Sequence, residues 1–395
     1  MEKNIYRPEL RFPEFNENWS IKKFGSITER ISLPVDVQIG KLYQQIGIRS
    51  HGKGIFYKEN VDGRELGNKR VFWIKENVFI VNIVFAWEQA VAKTTEKEIG
   101  MIASHRFPMY APLRDESDLN YLLYFFLTKK GKALLELASP GGAGRNKTLG
   151  QKELEILKLI IPKKREQQEI ASFLSAVDDK LQALKKKKSL LDQYKQGVMQ
   201  KIFSQELRFK DDDGSYYPEW EVKKLGDIAE CLDNLRKPLN SSERQKMQGK
   251  YPYWGANNIM DYINDYIFDE TIVLLAEDGG NFNEFKTRPI ANLYKGKCWV
   301  NNHTHVLRAI YKISTNEFLF YSLVHKDITG FVSGGTRAKL TKGEMLKIPI
   351  LLPSVHEQTK IADFLSAIDE KTQLVKGQVD KMEVWKNGLL QKMFV

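Results

Sequence analysis

Apolar residues return every seven positions along two stretches of this chain. One series runs Ile170, Val177, Leu184, Leu191 and Val198, with Leu174, Leu181 and Ile202 on the adjoining stripe. The other runs Ile361, Ile368, Val375, Met382 and Leu389, with Leu365, Val379 and Met393 beside it. Spacing of seven predicts a long helix with one apolar seam, and a lone seam in water is unsatisfied. Two matching seams satisfy each other by packing together. Ser354 followed by Glu357, just after Pro353, reads as a capping box that starts the second helix. At about 1.5 Å per residue, a helix of about 38 residues spans roughly 55–60 Å, longer than a compact domain needs. An antiparallel pair would set two globular units at opposite ends of a rod, in a pseudo-two-fold arrangement.

Outside these stretches the pattern shortens. Lys41–Arg49, Arg70–Lys75, Phe107–Ala111 and Leu157–Ile161 are β-branched and aromatic runs broken by Gly, Asn and Asp, which predicts strands and turns. The apolar run Val78–Trp87 predicts one or two buried strands and is too short to span a bilayer. Leu122, Leu123, Phe126, Leu127 and Leu134 give Leu119–Leu137 the face of a helix, followed by the glycine-rich turn Pro140–Gly144. Further on the plan recurs: strands at Thr271–Ala276, His305–Ile310 and Ile348–Leu352, a helix at Asn316–Lys326, and a turn at Ser333–Thr336.

The recurrence is a true repeat. Pro162 to Lys180 returns as Pro353 to Lys371, and Gly197, Gln200, Lys201 and Phe203 return as Gly388, Gln391, Lys392 and Phe394. Leu10-Arg-Phe-Pro with Trp19 and Lys22-Lys-Phe-Gly25 is matched by Leu207-Arg-Phe-Lys with Trp220 and Lys223-Lys-Leu-Gly226. The offset is 201 at the front and 191 at the back, so the second globular portion is ten residues shorter while the helices keep their length. Loops tolerate such changes; a packed helix pair does not. The expected domains are 1–162, a spacer helix 163–205, 206–352, and a second spacer helix 353–395.

Composition adds a partner class. The chain has 395 residues, 42% hydrophobic and 28% charged, ordinary for a globular protein, with a net charge of +11 that favours an anionic partner. A merely solvated basic surface is the rival explanation. Cys231 and Cys298 are the two cysteines, so no disulfide framework is expected and a reducing cytoplasm fits. The opening Met1–Pro8 lacks an apolar stretch of the signal-peptide kind, and no membrane role is expected.

Two variable regions, each closed by Glu-Gln-x-x-Ile-Ala-x-Phe-Leu-Ser-Ala-[Val/Ile]-Asp at 166–178 and 357–369, resemble the specificity subunit of type I restriction–modification systems. The resemblance covers the whole chain. It implies an α+β fold: two mixed α/β target-recognition domains joined by two long antiparallel coiled-coil helices, with an internal pseudo-two-fold repeat. It also implies a non-catalytic protein without a cofactor. Each domain would read one half of a split, asymmetric double-stranded DNA sequence while the helices act as a ruler. The implied partners are two DNA-methyltransferase (modification) subunits and, in the full enzyme, restriction (motor-nuclease) subunits. Similarity between the two variable regions is weak, which implies different half-sites.

DNA affinity would come from Lys and Arg at phosphates and sequence choice from side chains at base edges. In the first region the candidates are Arg49, Ser50, His51 and Lys53 in a Gly-bearing turn, and Arg145, Asn146 and Lys147 after the glycine turn. In the second they are Thr336, Arg337 and Lys339, with Lys286 and Arg288. Glycine lets backbone approach phosphate; the alternative is that these glycines only cap the preceding helix. Tyr253, Trp254, Asn257 and Asn258 mix aromatics with amides able to pair with adenine, or form a plain aromatic turn. Gln44, Gln45, Trp87 and Gln89 are weaker candidates, and Lys185–Lys188 is expected to face solvent.

Neither an Asn/Asp-Pro-Pro-aromatic tetrapeptide for adenine methylation nor a P-loop is present. Asp278 with Glu284-Phe-Lys286 has the outline of a metal-dependent nuclease, an alternative function that would require Mg²⁺. His303 and His305 could offer two metal ligands, but no third lies nearby in the chain, so they are expected to be ordinary polar strand residues. A coiled-coil interaction protein that binds no DNA is the remaining alternative.

Overall fold

The computed structural model describes residues 6–141, 147–334 and 338–395. The chain forms two compact units: unit 1 is Met1–Lys186 with Lys376–Val395, and unit 2 is Lys187–Val375. The fold is mixed α/β, with two long helices, Lys164–Phe203 and Val355–Lys392, packed together. Among the described residues no helix is long and apolar enough to cross a membrane.

Unit 1 holds two four-stranded sheets. In one, Met109–Pro112 and Phe79–Val81 form the centre; in the other, Leu42–Ile48 lies between Ile55–Asp62 and Ile102–Ser104. Unit 2 holds a six-stranded sheet in which the long strands Phe268–Ala276 and Ala291–Val300 pair antiparallel. The hairpin Gln248–Trp254/Ile259–Ile263 extends it through a short parallel contact, Tyr253 opposite Trp299. One antiparallel ribbon occurs in both copies: Ser20–Lys23 with Lys158–Ile161, and Glu221–Lys224 with Pro349–Leu352.

One expectation changes and another is narrowed. The helix over Leu119–Leu137 is two helices, Leu119–Leu127 and Lys129–Leu137, broken at Thr128, whose ψ is 166°. The Thr128 hydroxyl accepts the Gly131 N–H at 3.0 Å and so caps the second helix. A Cβ on Gly131 would lie 2.1 Å from the Phe125 carbonyl oxygen, so only glycine allows the tight corner. The run Val78–Trp87 supplies one strand, Phe79–Val81, and then a turn and a short 3₁₀ segment, Ala86–Glu88.

The seams close within each unit. In unit 1, Ile170, Leu174 and Val177 are buried with Leu389, Leu390 and Met393, and Leu181 and Leu184 meet Val379 with Met382 half-covered. In unit 2, Met199 and Ile202 share a core with Ile361, Leu365 and Ile368. Rising numbers on one helix meet falling numbers on the other, so the pair is antiparallel. Val375 is buried, while Leu191 and Val198 are half-buried. Each fully buried side chain of this size stabilises by about 1.5–3 kcal/mol.

The repeated helix motif is an anchor. The Glu166 carboxylate accepts two hydrogen bonds from Arg11 (2.7 and 2.8 Å) and one from the Trp19 indole. Glu357 accepts from Arg208 and from the Trp220 indole in the same way. Gln167 and Gln358 each satisfy three backbone groups of the globular body. About three turns on, Tyr124 donates to Asp178, which also pairs with Lys386; Tyr321 donates to Asp369, which also pairs with Lys195. Helix two keeps half of its expected capping box: Ser354 accepts the Glu357 N–H at 3.3 Å, but the Glu357 carboxylate is taken by Arg208 and Trp220.

Candidate nucleic-acid interface

In unit 1 three loops converge. The hairpin turn after Leu42–Ile48 is closed by Arg49 N–H to Gly54 O (3.0 Å), and His51 and Gly52 hold left-handed φ near 60°. Their N–H groups bond the Glu88 and Gln89 carbonyls, and the Ser50 hydroxyl donates to the Glu88 carboxylate at 2.7 Å. The segment at Ile83 bonds on one side to Arg106 and on the other to Leu149. Arg49 lies over the Phe56 ring at 5.0 Å. A Cβ on Gly47 would stand 2.3 Å from that ring, so glycine lets Phe56 lie flat across the strand as a platform for the guanidinium. A recess lined by Arg49, Ser50, His51, Lys53, Lys58 and Asn82 results.

Unit 2 gathers the corresponding segments. The hairpin turn is closed by Gly255 N–H to Asn258 O, and Thr304 donates to the Gly255 carbonyl at 2.6 Å. Asn257 donates to Gly279 O at 2.9 Å. Glu277 N–H bonds His303 O, and Leu340 N–H bonds Glu277 O. Lys339 bridges to Asp278 and Ser333 through the backbone and pairs with Glu277 through its side chain at 3.1 Å. The segments come from four separate stretches of chain, and each is pinned by main-chain hydrogen bonds.

Known proteins give this arrangement a family. The model of the Type I restriction modification DNA specificity domain matches residues 56–193 and again 217–384. The chain belongs to that family. The type I MjaVIII specificity subunit of Methanocaldococcus jannaschii is 23% identical over 96% of this chain and 92% of its own length. A Haemophilus influenzae protein, assigned provisionally as such a subunit, is 40% identical over 154 residues, 39% of this chain and 38% of that one. The crystal structure of a type I S subunit from M. genitalium superposes with a TM-score of 0.62, covering 98% of this chain and 99% of that one at 18% identity. The protein is thus the DNA specificity subunit of a type I restriction–modification system, itself non-catalytic.

On this specificity subunit the candidate residues divide. Arg49, His51 and Lys53 are exposed and Ser50 half-exposed in the first cluster. Lys147 joins them, paired with Glu136 at 2.7 Å and lying over Trp87. Asn257, Asn258 and Lys339 stand in the second. Arg145, Asn146, Thr336 and Arg337 lie outside the described residues. Tyr253 and Trp254 correct the expectation: they are 1% and 8% exposed, the Tyr253 hydroxyl accepting from Leu239 N–H and Trp254 packing edge-on against Tyr294. The turn proper begins at Gly255, so both aromatics belong to the sheet interior. Lys286 lines another cleft with Phe203, Phe285 and Lys326, and Arg288 is tied to Glu284 at 2.8 Å. Gln89 serves structure, donating to the Phe126 and Thr128 carbonyls. Lys58 and Asn82 were not legible as site residues; their charge and polarity mean little until strand pairing brings them beside the turn at 49–54.

The decoys resolve differently. Asp278 is paired with His303 and Glu284 with Arg288, so the nuclease-like carboxylates are tied to different side chains. Cys231, Asp233 and His305 do cluster, their ligand atoms within 4.8 Å. Yet His305 Nδ1 lies 2.6 Å from Asp233 and Nε2 lies 2.8 Å from Leu340 O, so both ring nitrogens face oxygen acceptors. Arg236 completes the group, 3.2 Å from Asp233 and 2.7 Å from Glu277. Burial would depress the His305 pKa, but the hydrogen bonds to Asp233, Cys231 and the Leu340 carbonyl outweigh it and push it up to about 9. Both ring nitrogens and the Asp233 carboxylate are thus already engaged by groups of the protein itself. His305, 1% exposed, is a buried structural cation and not the ordinary polar strand residue expected.

Proposed function

We propose that each unit presents its loop cluster to one half of a split, asymmetric double-stranded DNA target in the cytoplasm. The recognition modules are residues 1–162 and 206–352, and the helices 163–205 and 353–395 set the interval between half-sites. The chain recruits two methyltransferase subunits and, in the full enzyme, restriction subunits. One observation carries this reading: corresponding loops converge in both units on equivalent scaffolds, but with different side chains. A shared scaffold with unlike loops suits two unlike half-sites.

Within the clusters, Arg49, Lys53, Lys147 and Lys339 supply positive charge for phosphates, while Ser50, His51, Asn257 and Asn258 offer hydrogen-bonding groups to base edges. The test is DNA binding by the complex with its methyltransferase partner across a salt series. Arg49→Ala with Lys339→Ala is expected to lower affinity and flatten the salt dependence by about two phosphate contacts. An unchanged slope would remove both residues from the interface. A purified chain that cleaves DNA with Mg²⁺ would favour the nuclease alternative instead.

A further inference from the structure

The recess in unit 1 is walled by aromatic rings as well as cations: Phe56, Phe85 and Phe107 line it together with Arg49, Lys53 and Lys58. Of the three rings Phe85 is the most open, 36% exposed, while Phe56 and Phe107 are half-buried. Phe56 is already covered by the Arg49 guanidinium. The Phe85 backbone is fixed on both sides. Its N–H bonds the Asn82 carbonyl at 3.1 Å, and its own carbonyl accepts the Glu88 and Ala90 N–H groups at 3.0 and 3.1 Å. The same turn is tied to the hairpin, since the Glu88 and Gln89 carbonyls accept the His51 and Gly52 N–H groups. The ring therefore stands at a set place relative to Arg49. Lone exposed aromatics are ordinary on protein surfaces. One held in a recess beside cations, on a pinned turn, suits a charged ligand that carries an apolar edge.

We propose that Phe85 is a specificity-determining residue of the first recognition module, reading the C5-methyl group of a thymine in the major groove. The inference rests on the DNA-reading function proposed above. Among the base edges of the major groove, thymine presents the one methyl group, which is the feature an exposed phenyl ring can select. Phosphate offers such a ring nothing, and the neighbouring Arg49, Lys53 and Lys58 answer that need. A wedge between base pairs has to project from the protein surface, whereas Phe85 is mostly covered by the recess walls. A side chain held this firmly by its support is what precise recognition requires.

The test titrates the complex with its methyltransferase partner against its mapped target, each thymine replaced in turn by deoxyuridine, which lacks only that methyl. The wild type is expected to lose about fourfold in affinity at one thymine of one half-site, the effect of removing a methyl group from an apolar contact. Phe85→Ala should bind the thymine target about that much more weakly and be indifferent to deoxyuridine at that position. Phe85→Leu should keep part of the sensitivity. Thymines of the other half-site should respond alike in all three chains, which also verifies that the variants are folded. A wild type with no sensitive thymine overturns the proposal. So does a sensitivity that survives Phe85→Ala, with equal weakening on both DNAs, as a wedge or a purely structural ring would give. A wild-type complex that binds its target no better than scrambled DNA would instead overturn the DNA-reading function.

Discussion

Single residues in this subunit act through what supports them. Arg49 is aimed by the Phe56 ring, and the ring is flat because position 47 is glycine. Gly47→Ala should therefore mimic part of the Arg49→Ala loss in DNA affinity without removing a charge, which titration at fixed salt would reveal. His305 carries a different consequence. Its pKa stands at about 9 in the fold against an ordinary 6.5, so its stabilisation is complete below pH 6.5 and disappears as pH rises through about 9. Between pH 7 and pH 10 the wild type should lose roughly 2–3 kcal/mol more than His305→Gln in denaturant unfolding of unit 2. Equal losses would mean that the ring is not a buried cation.

At the scale of elements, the helix motif turns out to be two functions interleaved. Its apolar positions make the seam, and Glu, Gln, Ser and Asp grip the globular body. Glu357 is fully buried and takes both Arg208 and the Trp220 indole. Glu357→Ala should destabilise unit 2 by about 3–5 kcal/mol, because it strands a covered guanidinium; Glu166→Ala should do the same to unit 1. Tyr321→Phe, which removes the hydrogen bond to Asp369, should cost about 1 kcal/mol. Calorimetry of each variant tests the ordering. The seam and the motif could be read directly, since heptads and repeats are one-dimensional signals. The split at Thr128 could not, because Leu119–Leu137 keeps a helical apolar face on both sides of the break.

For the whole molecule, the proposed ruler makes a geometric prediction. One heptad added to each long helix extends it by about 10 Å, so the gap between half-sites should grow by about three base pairs. Methylation mapping reads that gap, and an unaltered gap would separate the helices from target spacing. The chain by itself determined the duplication, the two seams, the mixed α/β content and the family, because each is written in spacing and repetition along one dimension. Only the tertiary structure decided which residues share a surface. Tyr253 and Trp254 went inside because their strand is flanked in the sheet, Lys286 went to another cleft, and Asp278 met His303 across 25 positions. Strand pairing between distant segments makes those choices, and no local pattern encodes it.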